Sequence, residues 1–239
     1  MLPSRVLPIG AELIPQVGAN FRVWAPRSRD VAVELQGSGP TDRVVALAAE
    51  ADGYFSGEVP EVAAGTRYKL RLARGAFPDP ASRFQPEGPH GPSVIVDPAA
   101  FRWTDQGWRG RPAKELVIYE LHLGTFTREG TWRAAGEQLP ALAQMGITMI
   151  EVMPIAEFPG RFGWGYDGVN LFAPTRLYGS PDEARAFVNR AHELGVAVIL
   201  DVVYNHLGPD GNYLREFSPD YFSTRYGNEW GDALNFDGD

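Results

Sequence analysis

The stretch VAVILDVVYNH, residues 196–206, sets one carboxylate, Asp201, behind five apolar residues and follows it with Val202, Val203 and then Asn205 and His206. A carboxylate and an imidazole so close together can donate and accept hydrogen bonds to hydroxyl groups or move a proton. A strand of this composition reads as buried on both faces, so the aspartate inside it requires a partner or a ligand. Other polar residues fall at comparable places: His122 ends ELVIYELHL (115–123), and Glu151 and the loop EFPGRFGWGYDG follow the second apolar run, ITMIEVMP (147–154). That loop runs from about Pro154 to Tyr178, well beyond the ~2–6 residues of an ordinary connection between strand and helix, which argues for a function. It carries Phe158, Phe162, Trp164, Tyr166 and Phe172 among glycines and prolines. Aromatic faces beside hydrogen-bonding groups suit a sugar ring, and a nucleotide base would stack as well. No G-x-x-x-x-G-K-[ST] phosphate cradle is present.

The elements that must hold these residues come in two rhythms. Over residues 20–73, short alternating runs (NFRVWAP, DVAVEL, RVVALAA, GYFSGEVP, GTRYKLRLA) are separated by Gly, Pro and Asp, with Val31, Val33, Leu35 and Tyr68, Leu70, Leu72 at every second position. Such strands pack as an antiparallel β-sandwich. A Pro- and Gly-rich crossing segment follows, FPDPASRFQPEGPHGPSVIVDP, anchored by Phe77, Phe84 and Ile95, and a boundary falls near DQGWRGRP, residues 105–112. Beyond it, the strand 115–123, a helical segment 131–146 interrupted or restarted at Pro140, the strand 147–154, a helix 180–195 and the strand 196–203 alternate. The helix over 180–195 has the clearest signals: Ser180 to cap, Pro181 in the first turn, Glu183 to close the box, Gly195 to stop it, and Ala184, Phe187, Val188 and Ala191 on one face. Strand–helix alternation implies parallel pairing, with ligands beyond the carboxyl ends of the strands.

The 239 residues, 44% hydrophobic and 12% aromatic, make the chain globular, with room for one large or two medium domains. A net charge of -8 disfavours nucleic acid and anionic membrane as partners. There is no cysteine, which excludes disulfides, thiolate metal sites and a cysteine nucleophile and fits a cytoplasmic protein. The N-terminus makes a poor signal peptide, and no apolar run is long enough to span a bilayer.

DVVYNH resembles the first signature region of the α-amylase family of glycoside hydrolases. YELHLGTFT (119–127), GWGYDG (163–168), LYG (177–179) and VWAP (23–26) resemble the branch holding branching enzymes, isoamylases and trehalose-releasing enzymes. PDPASRFQPEGPHGPS (78–93), EGTWRAA and GPDGNYL are most similar to the trehalohydrolase type. The resemblance covers about residues 20–235. It implies a multi-domain chain: an immunoglobulin-like, carbohydrate-binding-module-like β-sandwich over 1–104, a linker over 105–112, and over 113–239 the first three βα units of an incomplete (β/α)8 barrel. It also implies that Asp201 organises the sugar beside the cleavage point, that His206 hydrogen-bonds that sugar, that Tyr166 stacks on it and that Asp167 belongs to the same pocket. Trp164 and His122 are further candidates for sugar contact, from their places in the long loop and at a strand end. The structural alternatives are a buried aspartate serving backbone or an arginine, a surface histidine, loop-packing aromatics and a strand cap.

The reaction implied is retaining hydrolysis of the α-1,4 bond that frees trehalose from a malto-oligosyl chain. Retention uses two carboxyl groups about 5–5.5 Å apart. In the family these lie after strands four and five, and their motifs do not occur here, so the nucleophile and the general acid are expected beyond Asp239. Residues 114–239 amount to roughly half of the ~250 a full barrel takes. The expectation is therefore a chain that holds part of the substrate pocket, carries none of the catalytic carboxylates and does not hydrolyse alone, with open sheet edges that favour aggregation. No cofactor or metal is expected: Asn205 stands where many α-amylases hold calcium, but relatives of the trehalohydrolase type are not generally calcium enzymes. A branching or debranching enzyme is a second reading. A non-catalytic glucan-binding module, with Trp24 either in the sandwich core or on its surface, is a third. His192 and Glu157 are read as structural.

Overall fold

The computed structural model describes residues 5–37 and 43–238. Asp239, beyond which the nucleophile and acid are expected, lies outside the described residues, as do the first residues of the expected module over 1–104. The N-terminal part is built of β1 (Gly10–Ile14), β2 (Gly18–Trp24), β3 (Ala32–Gln36), β4 (Arg43–Ala46), β5 (Ala48–Ala49), β6 (Tyr54–Pro60), β7 (Arg67–Leu72), β8 (Gly75–Phe77) and β9 (Ser93–Val94). One sheet runs β1-β2-β6-β5 and the other β4-β3-β7-β8, with β9 also pairing β7, and every pair is antiparallel. The alternating residues face inward as their spacing predicts: Phe21, Val33, Leu35, Tyr68 and Leu70 are buried in a single core between the sheets. β1, β8 and β9 are additions to the expected strands.

The second part begins with β10 (Ile118–Leu121), the one-turn α1 (Leu123–Phe126) and α2 (Trp132–Gln144). It continues through β11 (Met149–Val152), the short hairpin strands β12 (Ala156–Glu157) and β13 (Asn170–Pro174), α3 (Pro181–Glu193) and β14 (Ala197–Leu200). β15 (His206–Leu207), the one-turn α4 (Leu214–Phe217) and β16 (Asp232–Ala233) close it. β10, β11 and β14 form a parallel sheet in that order. Its helix-side face packs Leu121, Ile150 and Val152 against Trp132, Leu139 and Phe187 from α2 and α3. Burying a ring such as Phe187 contributes about 1.5–3 kcal/mol. α3 has the predicted capping box: Ser180 Oγ accepts from Glu183 N at 3.3 Å, and Glu183 Oε2 accepts from Ser180 N at 2.7 Å.

Three expectations change. α2 runs unbroken through Pro140, whose ring removes one backbone bond toward Gly136; packing of Leu139 and Leu142 on both sides of it outweighs that loss. The third strand stops at Leu200, so Asp201 stands just past its end instead of inside it. The strands are also not buried on both faces: Ile118, Tyr119, Ile199 and Leu200 are exposed, because among the described residues the sheet ends at β10 and β14.

The two parts are tightly docked. Asp79 in the crossing segment is buried; its carboxylate accepts from Tyr68 Oη at 2.7 Å and Ala81 N at 2.8 Å, and its carbonyl accepts from Asn170 Nδ2 of β13 at 3.1 Å. Trp24 meets Tyr221 edge-on, with centroids 5.0 Å apart, and so belongs to this seam. His192 of α3 bonds Asp105 at 2.7 Å and stacks on Trp108 at 4.4 Å, which pins residues 105–108 to the helix.

Candidate functional site

Residues beyond the carboxyl ends of β10, β11 and β14 gather in one region. Asp201 N donates to Val152 O at 2.9 Å, the last rung of the ladder, and leaves the carboxylate free to face the long loop. There Tyr166 Oη donates to Asp201 Oδ2 at 2.8 Å across 35 residues of sequence. The bond to Asp201 raises the Tyr166 pKa above that of an ordinary phenol, desolvation adds to it, and the charges of Asp201, Glu120 and Glu151 add further. The hydroxyl is therefore a fixed donor at neutral pH.

Register explains the two glutamates. Glu120, Glu151 and Ile199 are Cα partners across β10, β11 and β14. Because Leu121, Ile150 and Val152 face the helices, alternation turns Glu120 and Glu151 to the opposite, open face. Glu151 thus lies within a strand, not after it. Glu120 is not singled out by motif or spacing, although the alternation in its own strand would have placed it there.

The loop is positioned by backbone close to backbone. Gly165 has φ +93°, and a Cβ there would lie 2.0 Å from Pro154 O, so only glycine lets the chain turn toward Tyr166. A Cβ on Gly208 would lie 2.6 Å from Asp167 O, and Gly208 N donates to Gly168 O at 3.1 Å. These contacts lay the backbone of β15 and Gly208 against Asp167 and Gly168. His206 is only 5% exposed, and its Nδ1 has no hydrogen-bond partner among the described residues. Its ring makes no hydrogen bond to Tyr166 or Asp201, and its strand meets the loop of Tyr166 through the backbone of Asp167 and Gly168. A buried nitrogen left unpaired costs about 1–3 kcal/mol, a debt that a ligand or water oxygen can remove.

The other candidates differ in surroundings. The His122 Nε2 lies 2.9 Å from Gly163 O and 3.1 Å from Tyr178 Oη, and its Nδ1 lies 3.1 Å from Thr125 Oγ1. A carbonyl can only accept, so Nε2 carries the proton. Both nitrogens are thereby engaged, Nε2 in holding the loop and Nδ1 with Thr125 of α1. Burial pushes the pKa of Tyr178 up to about 12, which keeps it a neutral partner. Trp164 is 75% exposed, and Asp167 is exposed as well. Glu157 is fully buried in an ion pair with Arg176, whose backbone N also donates to Glu157 Oε2 at 2.9 Å and whose Nη2 donates to Gly160 O at 3.0 Å. Burial raises the Glu157 pKa despite these partners, so this carboxylate is a loop anchor.

A cavity of about 200 Å³ runs along Leu200–Tyr204, walled by Pro154, Phe172 and Pro174, with Asp201 its only charged lining side chain among the described residues. A larger cleft of about 850 Å³ lies between the sandwich and α4, but its Arg27, Arg71 and Arg215 are already paired with Asp220, Glu34 and Asp232. Among the described residues no group of three or more His, Asp or Glu could hold a metal ion, and no helix is long and apolar enough to cross a membrane.

An antiparallel sandwich docked on parallel β/α units, with aromatic, carboxylate and imidazole groups at the strand ends, has the build of a barrel-type carbohydrate-active protein. The family described as alpha amylase, catalytic domain, matches residues 95–230, and carbohydrate-binding module 48, the isoamylase N-terminal domain, matches residues 8–100. The chain belongs to the α-amylase family, as an N-terminal module joined to part of the catalytic domain. It is 48% identical to a malto-oligosyltrehalose trehalohydrolase of Saccharolobus solfataricus, over 92% of this chain and 38% of that protein. It is 45% identical to one of Deinococcus radiodurans, over 95% of this chain and 37% of that protein. A crystal structure of a Salmonella typhimurium protein, 44% identical, superposes with TM-score 0.91 over 98% of this chain and 39% of the other. The chain thus spans somewhat over a third of the length of the relatives it matches.

Proposed function

We propose that this chain supplies the N-terminal module and the first three strands of the catalytic barrel of an enzyme that releases trehalose from malto-oligosyltrehalose, by retaining hydrolysis of the adjacent α-1,4 bond. In this reading residues 1–104 form the module, 105–112 the link and 113–239 the barrel portion. The observation that carries it is the Tyr166–Asp201 hydrogen bond at 2.8 Å beside an apolar cavity at the strand ends. The phenol ring offers a face for a glucosyl unit, while Asp201 and the imidazole of His206 take up its hydroxyls. Asp167 and Trp164, exposed on the same loop, are assigned to sugar contact in this reading, and His122 positions the loop.

Neither Tyr166 nor Asp201 is assigned the bond-breaking role. The carboxylate nucleophile and acid belong to strands four and five of a complete barrel, so residues 1–239 bind substrate without cleaving it. The similarity to trehalohydrolases over more than nine-tenths of the chain supports trehalose release over branching or debranching.

Calorimetric titration separates the readings. A trehalose-capped malto-oligosaccharide should bind this chain more tightly than a plain malto-oligosaccharide of equal length, with no trehalose released. Equal affinities would favour the branching or debranching type, and trehalose release by 1–239 would refute the assignment of the chemistry to other segments.

A further inference from the structure

Arg83 lies half-buried in the crossing segment, and its Nε is buried without a hydrogen-bond partner. Arg5, Arg71 and Arg176 each meet a carboxylate, at Glu12, Glu34 and Glu157. Arg83 has no such partner among the described residues. Asp79 feels its charge, but the Asp79 carboxylate already accepts from Tyr68 and Ala81. The Arg83 guanidinium instead lies over the ring of Phe172, 5.1 Å from its centroid. Phe172 is itself 44% exposed and walls the cavity that contains Asp201.

A guanidinium offers five donors in a planar fork and no acceptor, so an arginine laid on an aromatic ring without an anion is a donor set awaiting oxygens. An anionic ligand is disfavoured, because among the described residues Asp201 is the only charged side chain lining the cavity and the chain carries a net charge of -8. Neutral vicinal hydroxyls match the fork's spacing and meet no repulsion.

We propose that Arg83 is a binding residue beside the cavity, its two Nη groups and not the buried Nε donating to two adjacent hydroxyls of a glucosyl unit seated against Phe172. The proposal rests on the glucan-binding reading above and extends the sugar site to the crossing segment of the N-terminal part.

The test is titration of the full 239-residue chain with maltotetraose, comparing the wild type, Arg83→Met, Arg83→Lys and Tyr166→Phe, with a thermal midpoint for each. Met keeps the packing on Phe172 and removes every donor. Affinity should fall about tenfold or more in Arg83→Met, as for loss of a hydrogen bond from a charged donor. Arg83→Lys, which keeps charge without the fork, should recover part of it, and the midpoint should hold. A lower midpoint with unchanged affinity would assign Arg83 to packing alone and overturn the proposal, leaving the glucan reading intact if Tyr166→Phe weakens binding. If Arg83→Met does not fold, full affinity in Arg83→Lys overturns it instead. Absence of binding by the wild type would remove both the proposal and the reading beneath it.

Discussion

Asp79 is a buried carboxylate in the crossing segment, whose backbone carbonyl meets the second part while its side chain holds Tyr68 and Ala81, and replacing it separates hydrogen bonding from charge. Its oxygens accept from Tyr68 Oη at 2.7 Å and Ala81 N at 2.8 Å, both inside the core. Asp79→Ala leaves two buried donors unpaired, at about 1–3 kcal/mol each, so a loss of roughly 2–6 kcal/mol is expected. Against a typical total of about 5–15 kcal/mol, that is a large fraction. Asp79→Asn keeps an acceptor for Ala81 and offers its amide to the Tyr68 hydroxyl oxygen, and it removes the cost of burying charge.

Burial raises the Asp79 pKa, and the Tyr68 and Ala81 bonds offset this only in part. The folded value therefore lies above the unfolded one, and the folded state holds the proton more tightly. This group's contribution is fully present below the unfolded pKa and is lost as pH rises through the folded pKa. Urea unfolding at a series of pH values from about 3 to 7 should show Asp79→Asn losing stability relative to wild type at the acid end and matching or exceeding it near neutrality, by the linkage above. Asp79→Ala should be unstable throughout. A small effect of Asp79→Ala, or an Asp79→Asn deficit that grows with pH, would refute the reasoning.

Glu157→Ala leaves Arg176 without its carboxylate in a buried place and should cost about 3–5 kcal/mol, read by denaturant unfolding. Gly165→Ala forces a Cβ against Pro154 O and should displace the loop, so that Tyr166 no longer reaches Asp201, seen as a fall in the Tyr166 pKa by ultraviolet titration. Ser180→Ala removes the hydroxyl that caps α3 and should cost about 1 kcal/mol without affecting sugar binding.

Much of the architecture is legible in the sequence because side-chain period carries it. Val33 and Leu35 name their strand, and Ser180 to Gly195 name α3 from cap to stop. β1, β8 and β9 are less legible, since strands of two to five residues are fixed by the neighbours they pair with, β2 and β7, more than by their own pattern. VAVILDVV reads as one buried strand because composition does not reveal where pairing ends; β14 stops one residue before Asp201 and leaves Ile199 and Leu200 exposed. The site is legible in residue types and not in contacts. Nothing in the spacing says that Tyr166 bonds Asp201, that Glu157 is neutralised by Arg176 or that His122 Nε2 meets Gly163, because each contact joins segments far apart in sequence. The pairing of Arg83 with Phe172 is equally unreadable from sequence.

The claim beneath the functional reading is that a glucan lies at the strand ends, against Tyr166 and His206, and it is tested most directly by nuclear magnetic resonance with ring-labelled tyrosine and histidine. Maltotetraose added to the 239-residue chain should shift the Tyr166 and His206 ring signals and give contacts from the Tyr166 ring to sugar protons. Contacts confined to residues 8–100, with both rings undisturbed, would contradict it.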